Sequence, residues 1–212
     1  MQTQTIKKAK RLVLAYTFVG ALIFATNAGA QQVTYQEYVK NLLKTNVKEW
    51  LNNPIVIDSI KSQNIEHITL TQDKIDNLDK QWRKERKSKK QPLISSVLSN
   101  DLSKYLKDIK KTNQGLFSEI FVMDNKGLNV GQSDVTSDYW QGDEDKWQKT
   151  YLSGTDTMVL GDREYDESSK RFLIQVSVPV FDPDNQQPIG AATIGISLVK
   201  LIRQVTVASQ TR

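Results

Sequence analysis

The hydrophobic period changes once along this chain, and that change limits the folds open to it. From Thr34 to Asn113 the apolar residues recur at spacings of three and four; from Ser118 the period changes to two. Thr34-Tyr35-Gln36-Glu37 reads as a capping box. Val39, Leu42, Leu43, Val47, Trp50 and Leu51 follow at helical spacing until Asn52-Asn53-Pro54 stops them. A short helix from Pro54 turns Ile57 and Ile60 inward. A third, after Thr71, carries Ile75, Leu78 and Trp82. A fourth runs from Leu93 through Val97, Leu98, Leu102, Tyr105, Leu106 and Ile109, ending before Asn113-Gln114-Gly115.

The second block reads as strands. Glu119 to Met123 and Leu128 to Gly131 flank the turn Asp124-Asn125-Lys126-Gly127. Gly142 to Tyr151 reads as a short helix with Asp143, Glu144 and Asp145 at its positive end. Thr157 to Leu160 is a strand. Arg171 to Val180 is a long one that alternates Phe172, Ile174, Val176, Val178 and Val180 with Arg171, Leu173, Gln175, Ser177 and Pro179. Asp182 to Asn185 turns the chain, and Ile189 to Leu198 returns. Helices first and about five antiparallel strands second make an α+β domain.

The first 30 residues read as an export signal. Lys7, Lys8, Lys10 and Arg11 precede an apolar run from Leu12 to Ala25, and Ala28 and Ala30 form a small-residue cleavage site before Gln31. The run is short for a membrane span. Residues 31–212 are then a single domain, helical over 31–115 and a sheet over 116–200, expected in the periplasm. The signal takes four cations and no anion from a chain with 29 basic and 24 acidic side chains, leaving 25 and 24. Near-neutrality and export argue against a nucleic-acid partner. With no cysteine and one histidine, disulfide scaffolds, thiolate metal sites, iron–sulfur clusters and thiol nucleophiles are excluded.

Lys80 to Lys90 holds seven basic residues and one acid, Glu85. It reads as a solvated helix end whose cations complement the C-terminal dipole; the sharper reading is a patch for anionic lipid, nucleic acid or an acidic partner. Tyr139, Trp140 and Trp147 suit either a small-ligand pocket or a satellite core under a long loop. Lys146, Arg163 and Arg171 could clamp a carboxylate. Asp134, Asp138, Asp143, Glu144 and Asp145 do not follow an EF-hand spacing, so no metal is expected. Asp162, Glu164, Asp166 and Glu167 read as an exposed hairpin between strands. His67, beside Glu66, reads as a surface or packing residue.

Three stretches together resemble the extracytoplasmic, PAS-like sensor domains of the Cache (PDC) family. They are Glu119 to Gly127, Thr136 to Glu144 with Lys146-Trp147, and Gln175 to Asp182 with Ile189 to Ile196. The resemblance spans most of residues 32–200 and implies a PAS-like sheet, no enzymatic activity, no cofactor, and a small molecule held between sheet and covering loops. The sequence departs from the family at Gly195, where amino-acid-binding members place an acidic residue. It also shows no second membrane helix and no output domain. The expectation is a stand-alone sensor for a small polar or anionic molecule. The site expected lies between the inner sheet face and Ser133 to Tyr151. Tyr139, Trp140 and Trp147 form walls, Lys146 and Arg171 supply charge, and Gln175 and Ser177 orient the ligand. A membrane receptor, or a homodimer through the N-terminal helix Thr34 to Leu51, is the partner expected. The alternatives are an interaction protein without a ligand and a carboxylate-based hydrolase.

Overall fold

Asn53 and Pro54 begin a helix where the sequence places the first break. Asn53 is extended and its side chain accepts from the Ile55 amide at 3.1 Å, while Pro54 takes the first helical position, where no amide donor is needed. The structure is a computed structural model that describes residues 35–166 and 171–210. The expected export signal, Thr34 of the capping box and Glu167 lie outside the described residues. Before Asn53 the first stripe folds as α1 (Tyr35–Leu42), a π-helical segment (Leu43–Val47) and α2 (Lys48–Leu51). Across this change of pitch Val39, Leu43, Val47, Trp50 and Leu51 all stay buried.

α3 (Pro54–Glu66) and α4 (Gln72–Glu85) follow. The stripe from Leu93 to Ile109, read from its spacing as one helix, is two: α5 (Pro92–Ser99) and α6 (Asp101–Thr112). Asn100 breaks it. Its backbone is extended, its side chain accepts from the Ser103 amide at 2.7 Å, and its amide donates to the Val130 carbonyl at 2.8 Å. An asparagine that can cap a new helix and bond a strand competes with helix continuation.

The sheet has β1 (Phe117–Met123), β2 (Asn129–Gln132), β3 (Val159–Asp166), β4 (Arg171–Phe181) and β5 (Pro188–Ser197) in the order β2-β1-β5-β4-β3, every pair antiparallel. Two expectations change here. The helix expected over Gly142 to Tyr151 is only α7 (Asp145–Gln148). Asp162, Glu164 and Asp166 belong to β3 itself, not to a hairpin between strands. A last helix, α8 (Leu198–Gln210), follows the sheet. Its signal is the triplet Leu198, Leu201 and Val205, which packs on the core.

Alternation sorts the strand residues onto two faces. Ile120, Val122, Ile174, Val176, Ala192, Ile194 and Ile196 meet Val39, Val56, Ile60, Leu102, Leu106 and Leu201 in the main core. The second cluster joins Ile75, Trp82, Ile94, Val97, Leu128 and Tyr139. A third, on the opposite sheet face, holds Phe121, Met123, Ala191 and Trp147.

Candidate ligand-binding face

Strand register lays out the face that turns away from the main core. Glu119 stands opposite Gly195 and Gly195 opposite Gln175; Phe121 opposite Thr193 and Thr193 opposite Ser177; Met123 opposite Ala191 and Ala191 opposite Pro179. Gly195 has no side chain, so Glu119 and Gln175 reach across it, and the Gln175 amide donates to Glu119 Oε1 at 2.9 Å. A Cβ at Gly195 would sit 2.7 Å from Glu119 Cγ. In the next row the hydroxyls of Ser177 and Thr193 are 2.9 Å apart and both residues are buried. These groups occupy inner positions of central strands, where an apolar side chain would avoid the cost of burying a polar one.

α7 covers this face. Trp147 packs on Phe121, Met123 and Ala191, stacks on Tyr151 at 5.2 Å, and donates its indole N–H to the Asp124 carbonyl at 3.0 Å. Lys146 lies 5.6 Å from the Phe121 ring centroid and pairs with Glu144 at 2.9 Å. Burial raises the Tyr151 phenol above its usual range, with the Asp124 charge adding to it.

Asp124, a turn residue in the sequence, is the junction of three elements. Its Oδ1 accepts from the amides of Lys126 and Leu128 at 2.8 and 2.9 Å, and its Oδ2 takes Gln63 at 2.9 Å and His67 Nδ1 at 2.8 Å, both reaching it from α3 and the residue after it. His67 is thus a packing partner of a fully buried carboxylate. A carboxylate with this many donors stays in place without solvent.

Tyr139 and Trp140 lie in the second cluster. Tyr139 stacks on Trp82 at 5.3 Å, and burial, with the Asp124 and Glu66 charges, holds its phenol well above the tyrosine range. The backbone amides of both residues donate to Asp79 Oδ1 at 2.9 and 3.2 Å, and the Trp140 indole donates to the Lys126 carbonyl at 2.8 Å. Of the seven residues expected in the site, the structure brings Lys146, Trp147, Gln175 and Ser177 to one face and puts Tyr139 and Trp140 in another cluster. The Arg171 side chain lies outside the described residues. Arg163 sits 4.7 Å from the Phe172 ring toward the turn end of the β3–β4 hairpin.

Sequence reasoning missed Glu119 and Thr193, whose signal is a polar residue inside an apolar strand. It also missed a buried polar nest beside β2. There the Asp138 carbonyl accepts from Asn129 Nδ2 at 3.1 Å, Thr136 Oγ1 at 2.6 Å and Gln141 Nε2 at 3.0 Å. Among the described residues, Asn129 Oδ1, Gln132 Nε2 and Gln141 Oε1 find no hydrogen-bond partner. The acidic residues of this segment are mostly tied to cations: Asp134 to Lys110, Asp138 to Arg83, Glu144 to Lys146 and Asp145 to Lys149. Among the described residues no group of three or more His, Asp or Glu could hold a metal ion. A cleft of about 410 Å³ lies at the far end of β4, lined by Lys48, Asn52, Asp156, Pro179, Phe181 and Gln186. Another, of about 360 Å³, lies between α1 and α8.

No family model matches the chain and no curated protein matches it. Solved structures do. The V. cholerae histidine kinase DctB sensor domain is 14% identical, with 81% of this chain and 58% of that one covered and a TM-score of 0.35. The Campylobacter jejuni chemoreceptor Tlp3 sensory domain with isoleucine bound is 16% identical over 84% of this chain and 68% of that one, with a TM-score of 0.37. The E. coli DcuS sensor domain is 20% identical over 62% of this chain and 96% of that one, also at 0.37. The chain spans 43%, 58% and 64% of the first three structures it matches. The sensor domains named are of the Cache type, the family the sequence resembles. At these identities and scores the likeness gives this chain no ligand and no partner. Among the described residues no helix is long and apolar enough to cross a membrane.

Proposed function

We propose that the chain is an exported, non-enzymatic sensor module that binds a small polar or anionic molecule on the sheet face under α7 and acts through a membrane or periplasmic partner. The observation that carries this reading is the pair of polar rows, Glu119–Gln175 and Ser177–Thr193, on a covered sheet face. Lys146 supplies the charge. An anion arriving over Phe121 competes with Glu144 for its ammonium. Trp147 is the apolar wall, and Gln175 and Ser177 orient the ligand by hydrogen bonds. Arg171 is kept as a second cation on the grounds of its place on β4. Tyr139 and Trp140 fix the loop in place without touching the ligand.

Asp124 gives ligand binding a route outward. Its carbonyl holds Trp147 while its carboxylate holds Gln63 and His67, so a displacement of α7 reaches α3. The test is a thermal-shift screen of small carboxylates and polar metabolites. A rise in Tm that follows ligand concentration is the expected result. No shift across the screen overturns the binding reading.

One observation favours association as well. α8 leaves Val199, Ile202 and Val207 exposed, and Tyr38 of α1 bonds Gln204 of α8 at 2.7 Å. The two helices together offer a surface for a second copy or a receptor.

A further inference from the structure

Among the described residues, five lysines at one corner of the helical layer carry no ion pair. Lys80, Arg83, Lys84, Arg86, Lys87, Lys89 and Lys90 are all exposed. The two arginines are engaged: Arg83 binds Asp79 at 2.7 Å and Asp138 at 3.1 Å, and Arg86 donates to the Ser137 carbonyl at 3.1 Å. The acid within the run is turned inward. Glu85 is buried and accepts from the Ile94 amide at 3.0 Å and from Gln81 at 2.7 Å. Among the described residues no acid pairs with Lys80, Lys84, Lys87, Lys89 or Lys90.

The reading as a helix end covers only part of this set. Lys84 lies in the last turn of α4, where a cation meets the negative end of the dipole. Lys87 directly follows that end, its amide donating to the Lys84 carbonyl at 3.1 Å, but Lys89 and Lys90 lie just before α5 begins at Pro92. That is the positive end of a helix, where a cation is disfavoured. Lys80 and Lys84 fall on one side of α4 by their spacing, while Ile75, Asp79, Trp82 and Glu85 are buried. The run carries six net positive charges in a chain that is otherwise acidic once the first 30 residues are set aside. Charge concentrated against local electrostatics points to a partner outside the chain.

We infer that these lysines form a docking surface for an anionic phospholipid bilayer. The free cations are all lysines, flexible point charges without the planar fork that grips a discrete carboxylate or phosphate. That chemistry fits a diffuse negative surface, where each lysine contributes about fivefold to binding. The lysines would hold the helical corner against the membrane surface.

The test is co-sedimentation of the full chain with vesicles of equal parts phosphatidylglycerol and phosphatidylcholine, at about 0.15 M salt. Vesicles of phosphatidylcholine alone measure any contribution from the apolar Leu12 to Ala25 segment, and because Lys7, Lys8, Lys10 and Arg11 also favour anionic lipid, the deciding comparison is wild type against a variant with the same first 30 residues. The variant is Lys84→Glu, Lys87→Glu, Lys89→Glu and Lys90→Glu together, with Lys→Gln at the same positions as a milder second version. All four sites are exposed, and circular dichroism checks their folding. The expected result is binding to the anionic vesicles that falls by roughly several hundredfold in the reversed variant. It should also weaken steeply with added salt. Three results overturn the inference: no preference for anionic vesicles, unchanged binding by the folded variants, or retention on an acidic peptide or oligonucleotide without vesicle binding.

Discussion

The two faces of the sheet are made by alternate residues of the same strands, and they differ in kind. On the helical side Ile120, Val122, Val176, Ala192, Ile194 and Ile196 are all buried without a polar side chain among them. On the α7 side Phe121, Met123, Pro179 and Ala191 share the face with Glu119, Gln175, Ser177, Thr193 and Gly195. The first face is covered by several helices, the second by the four residues of α7 and its flanking loop. On the proposed reading, the difference separates stability from function. Apolar packing holds the domain together on one side, and polar groups that contribute little to folding are kept on the other.

That contrast can be broken from either side. Ile194→Ala removes a fully buried side chain from the helical face and is expected to cost about 2–5 kcal/mol in denaturant unfolding. Gly195→Ala acts on the other face. The added methyl meets Glu119 and Ser118 and is expected to cost about 1–3 kcal/mol. It should also part Glu119 from Gln175, which ligand titration of the folded variant would register as weaker binding. Ser177→Ala removes the hydrogen bond to the buried Thr193 hydroxyl and is expected to cost about 1–3 kcal/mol, less than Ile194→Ala. A loss there as large as at Ile194 would mean that both faces are structural.

The smallest effect separates the α4–α5 cluster from the α7 face. Burial raises the Tyr139 phenol, so the folded chain keeps it neutral where an unfolded chain would ionise it. The stabilisation this gives is complete below the usual tyrosine pKa, about 10, and is lost as pH rises through the raised value. Tyr139→Phe should therefore flatten the alkaline fall in stability while leaving ligand affinity unchanged. Reduced affinity in that variant would put Tyr139 back in the site.

Much of this was legible in the sequence, for local reasons. A period of two over Arg171 to Val180 allows little except a strand, and Asn53-Pro54 allows little except a helix start. The break at Asn100 was hidden, because an asparagine on the polar side of a stripe looks like any solvated residue until its bond to Val130 is seen. α8 follows the last strand without a loop, so its stripe reads as a continuation of the chain's end. The directions of Tyr139 and Trp140 depend on Asp79 and Trp82, distant in sequence. Composition of a loop says that its aromatics are buried but not against what. Glu119 and Gln175 become a pair only through the register that puts Gly195 between them.

The central claim is that the α7 face binds a small polar or anionic molecule. Isothermal titration calorimetry tests it most directly. The titrant is the compound giving the largest thermal shift, set against wild type, Lys146→Ala and Gln175→Ala. Losing a hydrogen bond to a charged group weakens binding by about 1.5–3 kcal/mol, so the account expects Lys146→Ala to bind roughly 10- to 150-fold more weakly. It expects a smaller loss for Gln175→Ala. Two folded variants that bind as tightly as wild type would contradict the account.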